Sequence, residues 1–286
     1  MVRIMAKVKI VTDSTSDLPK GVAAQLGITV VPLYIHFGEE VFKDGVDISS
    51  DYFYRRLTEG PILPKTSAPS PDTFKQLYNG LAQEAEGILS LHIPSELSAT
   101  HESALLGREG VDCPVSVVDS RTTSMGLGLL AVIAARAAND GATLKEIAKL
   151  IDSAIPRIRI FFTVDTLEYL RKGGRIGAAQ WLLGSLLKIK PILEVIDGHV
   201  EGIAKTRSHI KAVDKIRTMT ESLGAIEEMA VVYNTALPEA KSLGQSVSRL
   251  IPRGEKIFYS AFGPVIGTYT GPGAIGIVSL LKNSAV

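Results

Sequence analysis

The sequence predicts an α/β protein with two domains: an N-terminal α/β domain with a parallel, Rossmann-like sheet, and a C-terminal α/β domain whose mixed sheet contains antiparallel strands. The chain has 286 residues, beyond the size at which one hydrophobic core usually stops growing. Strand-like and helix-like segments alternate through the first half, which is typical of a parallel sheet. Asp197-Gly198 lies between two β-rich runs in the second half, a strong signal for an antiparallel hairpin.

The first half is predicted from hydrophobic periodicity and from turn and cap residues. Ser70 and Pro71, for example, are a good N-cap and first residue for a helix whose apolar face begins at Phe74. The predicted strands are Lys7 to Thr12, Ile28 to Phe37, Ile88 to Ile93 and Val115 to Val118. The predicted helices start near Asp17-Leu18-Pro19, contain Phe53 and Leu57, follow Ser70, run through Leu106, and cover Gly126 to Ala138 and Leu144 to Ala154.

We place the domain boundary at Ile155-Pro156-Arg157, which gives domains of residues 1–157 and 158–286. The predicted strands of the second domain are Ile158 to Val164, a hairpin within Ile192 to Ala204, Met229 to Tyr233, and segments near Lys256 to Ala261 and Ala274 to Leu280. The predicted helical segments are Thr166 to Leu170, Trp181 to Lys188, Ser208 to Leu223 and Pro238 to Leu250. Lys172 to Gly177 forms a basic, glycine-rich loop between them.

Composition excludes several classes of protein. The 31 basic and 30 acidic residues produce no net field that would attract nucleic acid. The single cysteine, Cys113, excludes an intrachain disulfide and a multi-cysteine metal site, and no metal ligand set is apparent. The apolar run Met125 to Ala135 is shorter than the roughly 20 residues that cross a bilayer. With no signal-peptide pattern at the N-terminus, the cytoplasm is the expected location.

Nucleotide and hydrolase motifs are absent or out of place. Gly271-Pro-Gly273-Ala-Ile-Gly276 fits G-x-G-x-x-G, but too few residues follow for the helix and strand of a dinucleotide site. Gly126-x-Gly128 stands too far from the preceding strand, so it indicates a tightly packed helix start. The sequence contains neither the phosphate-binding loop G-x-x-x-x-G-K-[ST] nor the G-x-S-x-G and H-E-x-x-H motifs.

Four loops rich in hydroxyl groups remain: Asp13 to Ser16, Thr66-Ser67, Ser95 to Thr100, and Asp119-Ser120 with Ser124. Turn and capping chemistry alone explains each of them. All four are nevertheless expected at the carboxyl ends of parallel strands, where α/β proteins bind ligands. Hydroxyls and backbone N–H groups suit a single anionic head group, so the loops together predict an anion site.

These residues resemble the DegV family, which includes the fatty-acid-binding subunits of bacterial fatty acid kinase. The resemblance covers nearly the whole chain, and its most specific blocks are Lys172-Gly-Gly-Arg-Ile-Gly177 and Ile189-Lys-Pro-Ile-Leu193. Further matching blocks are Asp13-Ser14 with Asp17-Leu18, Thr66-Ser-Ala-Pro-Ser-Pro71, Leu97-Ser-Ala-Thr100, Val118-Asp-Ser120, Gly126-Leu-Gly128, Leu167-Glu-Tyr-Leu170, Arg207 with Lys211-Ala212, and Gly271-Pro-Gly273.

The resemblance implies a non-enzymatic carrier that threads one long-chain fatty acid into an apolar tunnel, with the carboxylate near the interdomain cleft. Thr66 and Ser98 would hold the carboxylate, with Ser67, Ser95, Thr100 and Tyr269 in the vicinity of the head group. Tyr269 stands where a histidine is frequent in the family; it donates a hydrogen bond but cannot become cationic. The bound fatty acid is the expected ligand, and no cofactor is expected.

The resemblance also implies a protein partner. A separate ATP-binding kinase would phosphorylate the fatty acid carboxylate to an acyl phosphate, with Arg175 taking part in the exchange and Arg207 supporting the same basic surface. Transient contact with a membrane is a further expectation. The alternative from another class is a stand-alone enzyme of the phosphatase or hydrolase type, acting on a small phosphorylated or carboxylated metabolite.

Overall fold

The computed structural model describes residues 7–184, 189–234 and 237–283. The strands are β1 (Val8–Asp13), β2 (Ile28–Val31), β3 (Tyr34–Phe37), β4 (Glu40–Lys43), β5 (Lys65–Ser67), β6 (Gly87–His92), β7 (Val115–Asp119), β8 (Ile158–Thr163), β9 (Lys190–Ile196), β10 (His199–Thr206), β11 (Ile226–Tyr233), β12 (Phe258–Ala261) and β13 (Ile275–Leu281). The α-helices are α1 (Lys20–Leu26), α2 (Ser50–Glu59), α3 (Pro71–Ala82), α4 (Thr100–Gly107), α5 (Met125–Asn139), α6 (Leu144–Ala154), α7 (Glu168–Lys172), α8 (His209–Glu221), α9 (Leu237–Val247) and α10 (Pro264–Thr270).

The N-terminal sheet has the strand order β2-β1-β6-β7, and all of its neighbours are parallel. Side chains alternate between its two faces. Val11 and Ile88 belong to the apolar cluster under α3, whereas Ile10 and Leu91 belong to the cluster that contains α5. The chain leaves β1 toward β2 on one side and later returns to place β6 on the other, so the carboxyl ends of β1 and β6 form a topological switch point.

The C-terminal sheet has the order β10-β9-β8-β13-β11-β12. Its neighbours are antiparallel except for the parallel pair β11 and β12. The hairpin between β9 and β10 turns at Asp197 and Gly198, with φ of 46° and 84°, the left-handed pair that a tight hairpin requires. The predicted combination of a parallel sheet and a mixed sheet is confirmed.

Helix α5 lies between the two sheets. Its residues from Met125 to Val132 are wholly buried, and the helix contacts β1 on one side and β11 and β13 on the other. This burial explains the apolar run seen in the sequence, because a helix covered by a sheet on both sides has no side that faces water. None of the helices in the described ranges is long and apolar enough to cross a membrane.

The predicted strand from Ile28 to Phe37 is wrong, because the structure divides it at Pro32. Proline has no N–H for a ladder, and the chain changes sheet there. The first part is β2 of the parallel sheet, and the second is the centre of a small antiparallel sheet of order β4-β3-β5. Thr66 and Ser67 lie on β5, so the prediction that they follow a parallel strand is also wrong.

Three further elements differ from their predictions. Helix α1 begins at Lys20, after the N-cap Pro19, and Asp17 lies outside it with a left-handed φ of 49°. The helix predicted for Trp181 to Lys188 is a 3-10 segment over Gly177–Gly184, and residues 185–188 lie outside the described ranges. Helix α10 was not predicted. The division into domains at residue 157 stays a prediction.

Candidate functional site

The hydroxyls of Thr66 and Tyr269 form a pair. Thr66 is half-buried on β5, and its Oγ1 lies 2.6 Å from the hydroxyl oxygen of Tyr269. Tyr269 is the one half-buried side chain of α10, whose other residues are buried, and its ring packs against the main apolar cluster. Residues 203 positions apart in the sequence thus meet where the small sheet contacts α10.

Arg175 connects this pair to the loop of Ser98. Its Nε donates to the carbonyl oxygen of Leu97 at 3.1 Å, and its Nη1 donates to that of Gly173 at 2.8 Å. The guanidinium carbon lies 5.2 Å from the centre of the Tyr269 ring, within the range of a cation–π contact. Arg175 therefore holds together the glycine-rich loop, the β6–α4 loop and Tyr269.

Ser98 lies in the β6–α4 loop, beyond the carboxyl end of β6. It is half-buried, its Oγ is 2.9 Å from the Oγ1 of Thr100, and it accepts the Thr100 N–H at 3.3 Å. Thr100 is buried at the first residue of α4. Two hydroxyls thus meet beside Leu97, the residue that Arg175 contacts.

Other residues predicted near the head group have partners elsewhere. Ser67 is exposed, and its hydroxyl lies 2.8 Å from Nε2 of His36. Ser95 is exposed, and its N–H and hydroxyl both donate to the Asp119 carboxylate, at 3.0 and 2.8 Å. Arg207 is exposed directly after β10 and makes no hydrogen bond or ion pair with the described residues. The contacts thus bring together Thr66, Tyr269, Arg175 and the Ser98 loop, but not these three residues.

The glycine-rich loop is shaped to receive Tyr269. A Cβ atom on Gly173 would lie 2.4 Å from Cδ1 of the tyrosine ring, closer than any side chain can approach. Gly174 has a left-handed φ of 71°, which favours glycine. Gly173 and Gly174 therefore allow the ring to lie directly on the backbone of this loop.

Sequence reasoning missed a buried relay at the switch point. The Tyr78 hydroxyl donates to the Ser90 hydroxyl at 2.8 Å, and Ser90 lies 2.7 Å from Nε2 of His92. Nδ1 of His92 lies 2.9 Å from the Asp13 carboxylate. Ser90 and His92 are two residues apart on β6, so their side chains lie on the same face of the strand. All four side chains are wholly buried, so the serine–histidine–aspartate order is not open to a substrate.

Asp17 and Asp44 are two further buried carboxyl groups that the sequence did not identify. Burial raises the pKa of Asp17 well above its usual value, although the Ser124 hydroxyl and the Gly263 N–H lower it. Burial also raises the pKa of Asp44 to about 7, against the lowering effect of the Ser14 hydroxyl and the Val265 N–H.

A cleft of about 930 Å³ separates β7 from β8 and β9. Charged side chains line it, among them Asp119, Arg121, Arg159 and Glu194, but neither Thr66 nor Ser98 does. The nucleotide-like motif at residues 271–276 leads into β13 and not into a helix, which agrees with its rejection as a dinucleotide site.

The fold and this site define an α/β protein that places hydroxyls and an arginine beside an apolar core between two sheets. The chain belongs to the DegV family: the model of this family of uncharacterised proteins matches residues 7–282. It is 38% identical over 275 residues to a DegV domain-containing protein, SCO2569, of Streptomyces coelicolor, covering 95% of this chain and 97% of the relative.

Solved structures of the family share the fold. A DegV family protein from Thermus thermophilus, described as binding fatty acid, superposes with a TM-score of 0.91 at 33% identity, covering 96% of this chain and all of that one (100%). A stearic acid-binding protein from Eubacterium ventriosum superposes with a TM-score of 0.88 at 28% identity, covering 96% and 98% of the two chains.

Proposed function

We propose that this protein is a carrier that binds one long-chain fatty acid, with Thr66 and Ser98 holding the carboxylate and Tyr269 assisting. The observation that carries this function is the pairing of Thr66 with Tyr269 under Arg175, next to the Ser98 loop. It is supported by the fatty acids that two homologous proteins of the same fold bind.

Physical chemistry assigns different tasks to the two ends of the ligand. Burial of the acyl chain contributes roughly 0.8 kcal/mol per CH₂, so the tail supplies most of the affinity. A buried carboxylate is costly unless it accepts hydrogen bonds, and hydroxyl groups that face it offset that cost. Because Tyr269 packs against the main apolar cluster, a tail that starts at its hydroxyl can extend along apolar side chains.

Removal of either anchoring hydroxyl tests this assignment. We expect Thr66→Ala and Ser98→Ala each to weaken stearate binding at least about tenfold, because a hydrogen bond to a charged group contributes roughly 1.5–3 kcal/mol. The measurement is displacement of a fluorescent fatty acid by stearate. Thr218→Ala, an exposed threonine of α8, is the matched control and should bind as the wild type does. Equal affinities for all four proteins would refute the assignment.

We further propose that the bound fatty acid is presented to a separate ATP-binding kinase, with Arg175 at the site of phosphoryl transfer and Arg207 on the same surface. A permanently charged guanidinium suits the added charge of an acyl phosphate. Arg175 already contacts Tyr269 and the Ser98 loop, so it stands beside the carboxylate that would be phosphorylated.

The kinase role has its own test. We expect Arg175→Ala to keep bound lipid but to lose acyl phosphate formation with the cognate kinase. The alanine side chain cannot offset the negative charge of the transferred phosphoryl group. Formation is measured with labelled ATP, and Arg253→Ala, an exposed arginine outside the site, is the control. An unchanged rate for Arg175→Ala would remove this role and leave fatty acid binding intact.

A further inference from the structure

The turn at the end of β1, residues 13–17, carries two buried carboxyl groups, Asp13 and Asp17. Their hydrogen bonds reach the two walls of the head-group site, which are the loop that carries Ser98 and the helix α10 that carries Tyr269. Asp13 accepts the N–H of Ile93 at 3.0 Å through Oδ2, and the same oxygen lies 2.9 Å from His92 Nδ1. Ile93 is the first residue after β6. The N–H of Ser98 donates to the carbonyl of Pro94 at 3.1 Å, so the loop that carries Ser98 starts at the residue that Asp13 holds.

Asp17 makes the equivalent contact with the opposite wall. Its Oδ1 accepts the N–H of Gly263 at 2.8 Å, and its Oδ2 accepts the Ser124 hydroxyl at 2.5 Å. The Ser260 hydroxyl donates to the Asp17 carbonyl oxygen. Gly263 is the residue before α10, the helix that carries Tyr269, so Asp17 holds the start of that helix.

Helix α10 transmits the position of its first residue to Tyr269. The N–H of Gly267 donates to the Gly263 carbonyl at 2.8 Å, and that of Gly271 donates to Gly267 at 2.9 Å. A Cβ on Gly267 would lie 2.6 Å from the Tyr54 hydroxyl, so the helix is packed without a gap against α2. A displaced Gly263 therefore moves Tyr269 as well, because the short helix moves as a unit.

Neither carboxylate is suited to contact the ligand itself. Both side chains are buried, and hydrogen bonds from the protein occupy both oxygens of each. Loss of either side chain would leave a backbone N–H without its acceptor, at the buried Ile93 or at the half-buried Gly263, and the segment that starts there would have to rearrange.

We propose that Asp13 and Asp17 are positioning residues of the head-group site: Asp13 fixes the loop that carries Ser98, and Asp17 fixes the helix that carries Tyr269. The proposal rests on the proposed fatty acid function. It assigns to the Asp13-Ser14-Thr15-Ser16-Asp17 turn a role in ligand affinity without ligand contact.

A double-mutant cycle between Asp17 and Tyr269 tests the second half of the proposal. Asp17→Gly removes the carboxylate and tolerates the left-handed φ of 49° at this residue. We expect it to weaken stearate binding about tenfold in the wild-type background but less than about twofold in Tyr269→Phe, because the hydroxyl that it positions is then absent. Asp17→Asn, which keeps an oxygen for the Gly263 N–H, should restore most of the affinity.

Asp13 is tested in the same way against Ser98. Asp13→Ala should weaken stearate binding less in the Ser98→Ala background than alone. The losses of affinity caused by Asp17→Gly and Ser98→Ala should instead multiply, because these two substitutions act on different walls. If Asp13→Ala does not fold, Asp13→Asn keeps the side-chain volume and replaces one of the two accepting oxygens. Asp47→Ala, an exposed aspartate on the β4–α2 turn, is the control and should bind stearate normally.

The outcomes separate this proposal from the proposed function. A general loss of folding would lower thermal stability by the same amount in every background and give independent, multiplying effects on affinity. If the wild type binds stearate and the Asp17–Tyr269 and Asp13–Ser98 cycles show no coupling, the positioning roles are overturned and the carrier function stands. If the wild type binds no stearate, both are overturned.

Discussion

Tyr269 contacts three parts of the chain that are distant in sequence. Its hydroxyl pairs with Thr66, its ring lies under Arg175, and its edge rests where Gly173 has no side chain. A tyrosine in this position supplies a hydrogen-bond donor that, unlike a histidine, cannot carry a positive charge. The orientation of this hydroxyl therefore depends on the space that Gly173 leaves.

Gly173→Ala tests this dependence. Its φ of −77° accepts alanine, so the expected effect comes from the methyl group, which would push the Tyr269 ring away from Thr66. We predict a loss of about tenfold in stearate affinity, measured by displacement. Gly21→Ala is the matched control, since that glycine of α1 faces open space; it should bind normally and be as stable or slightly more stable. Equal affinity of the two variants would contradict the role of Gly173.

At the scale of the element, α10 and the turn after β1 meet around several buried carboxyl groups. Beyond burial, the nearby Asp44 and Asp13 raise the pKa of Asp17, and Asp13 also raises the pKa of Asp44. The Ser14 hydroxyl and the Val265 N–H face Asp44, and Tyr54 packs nearby with a pKa raised by burial. Asp17, Asp44 and Lys20 line a cleft of about 700 Å³. One carboxyl of this group, Asp44, gains its proton near neutral pH.

The stability of the protein should therefore depend on pH through Asp44. Its pKa is about 7 in the folded protein against 3.8 ordinarily, so the folded state binds more protons between about pH 4 and pH 7. The free energy of unfolding should fall as pH rises through this window, by at most about 4 kcal/mol from this group. The measurement is urea unfolding at pH 5, 6, 7 and 8.

Asp44→Asn removes the titration and serves as the critical comparison. As pH rises from 5 to 8, the wild type should lose unfolding free energy relative to Asp44→Asn. Asp47→Asn, an exposed aspartate in the same turn, should follow the wild type at every pH. If Asp44→Asn also followed the wild type, the buried carboxyl would not be the cause of the pH dependence.

Local patterns in the sequence predicted most elements but not the contacts between them. Helix α6 was predicted at its observed bounds, since Thr143 and Glu146 form a complete capping box next to a regular apolar stripe. Helix α10 was missed because its seven residues include Pro264, a glycine and four β-branched residues, which show no helical period. It is helical because it is buried against α2 and β3.

For the site, too, the sequence predicted individual residues but not the contacts between them. The hydroxyls of Thr66 and Ser98 lie in recognisable sequence blocks, yet the reason given for Thr66, a parallel strand end, was wrong. The Asp13–His92 relay and the Asp17–Gly263 contact join residues 79 and 246 positions apart. No periodicity or motif spacing reports contacts of that range, so they became visible only in the folded chain.

At the scale of the whole molecule, α5 joins the two sheets by its apolar surface and by one ion pair. Arg136 of α5 pairs with Glu228 of β11, whose side chain is only 7% exposed. Burial raises the pKa of Glu228, and the arginine lowers it. A nearby pair, Arg157 with Glu227 at 3.0 Å, joins the 3-10 turn before β8 to β11. The Arg136–Glu228 pair thus links α5 to the C-terminal sheet by charge.

Breaking this pair from one side should destabilise the protein more than removing it altogether. We predict that Arg136→Met lowers the free energy of unfolding by on the order of 3 kcal/mol, because Glu228 remains buried without its partner. Arg136→Met with Glu228→Gln should recover a large part of the loss in urea unfolding at pH 7. Arg253→Met, on an exposed loop, is the control. A double variant less stable than Arg136→Met would contradict this account of the layer.

The proposed function requires that the folded chain hold one fatty acid at the Thr66–Ser98–Tyr269 site. Purified protein should be denatured, extracted, and its lipids identified and quantified by mass spectrometry against the protein concentration. We expect close to one long-chain fatty acid per wild-type chain, and a clearly lower ratio for the Thr66→Ala, Ser98→Ala double variant purified in parallel. Wild-type protein that carries no fatty acid, and takes up none when stearate is added, would contradict it.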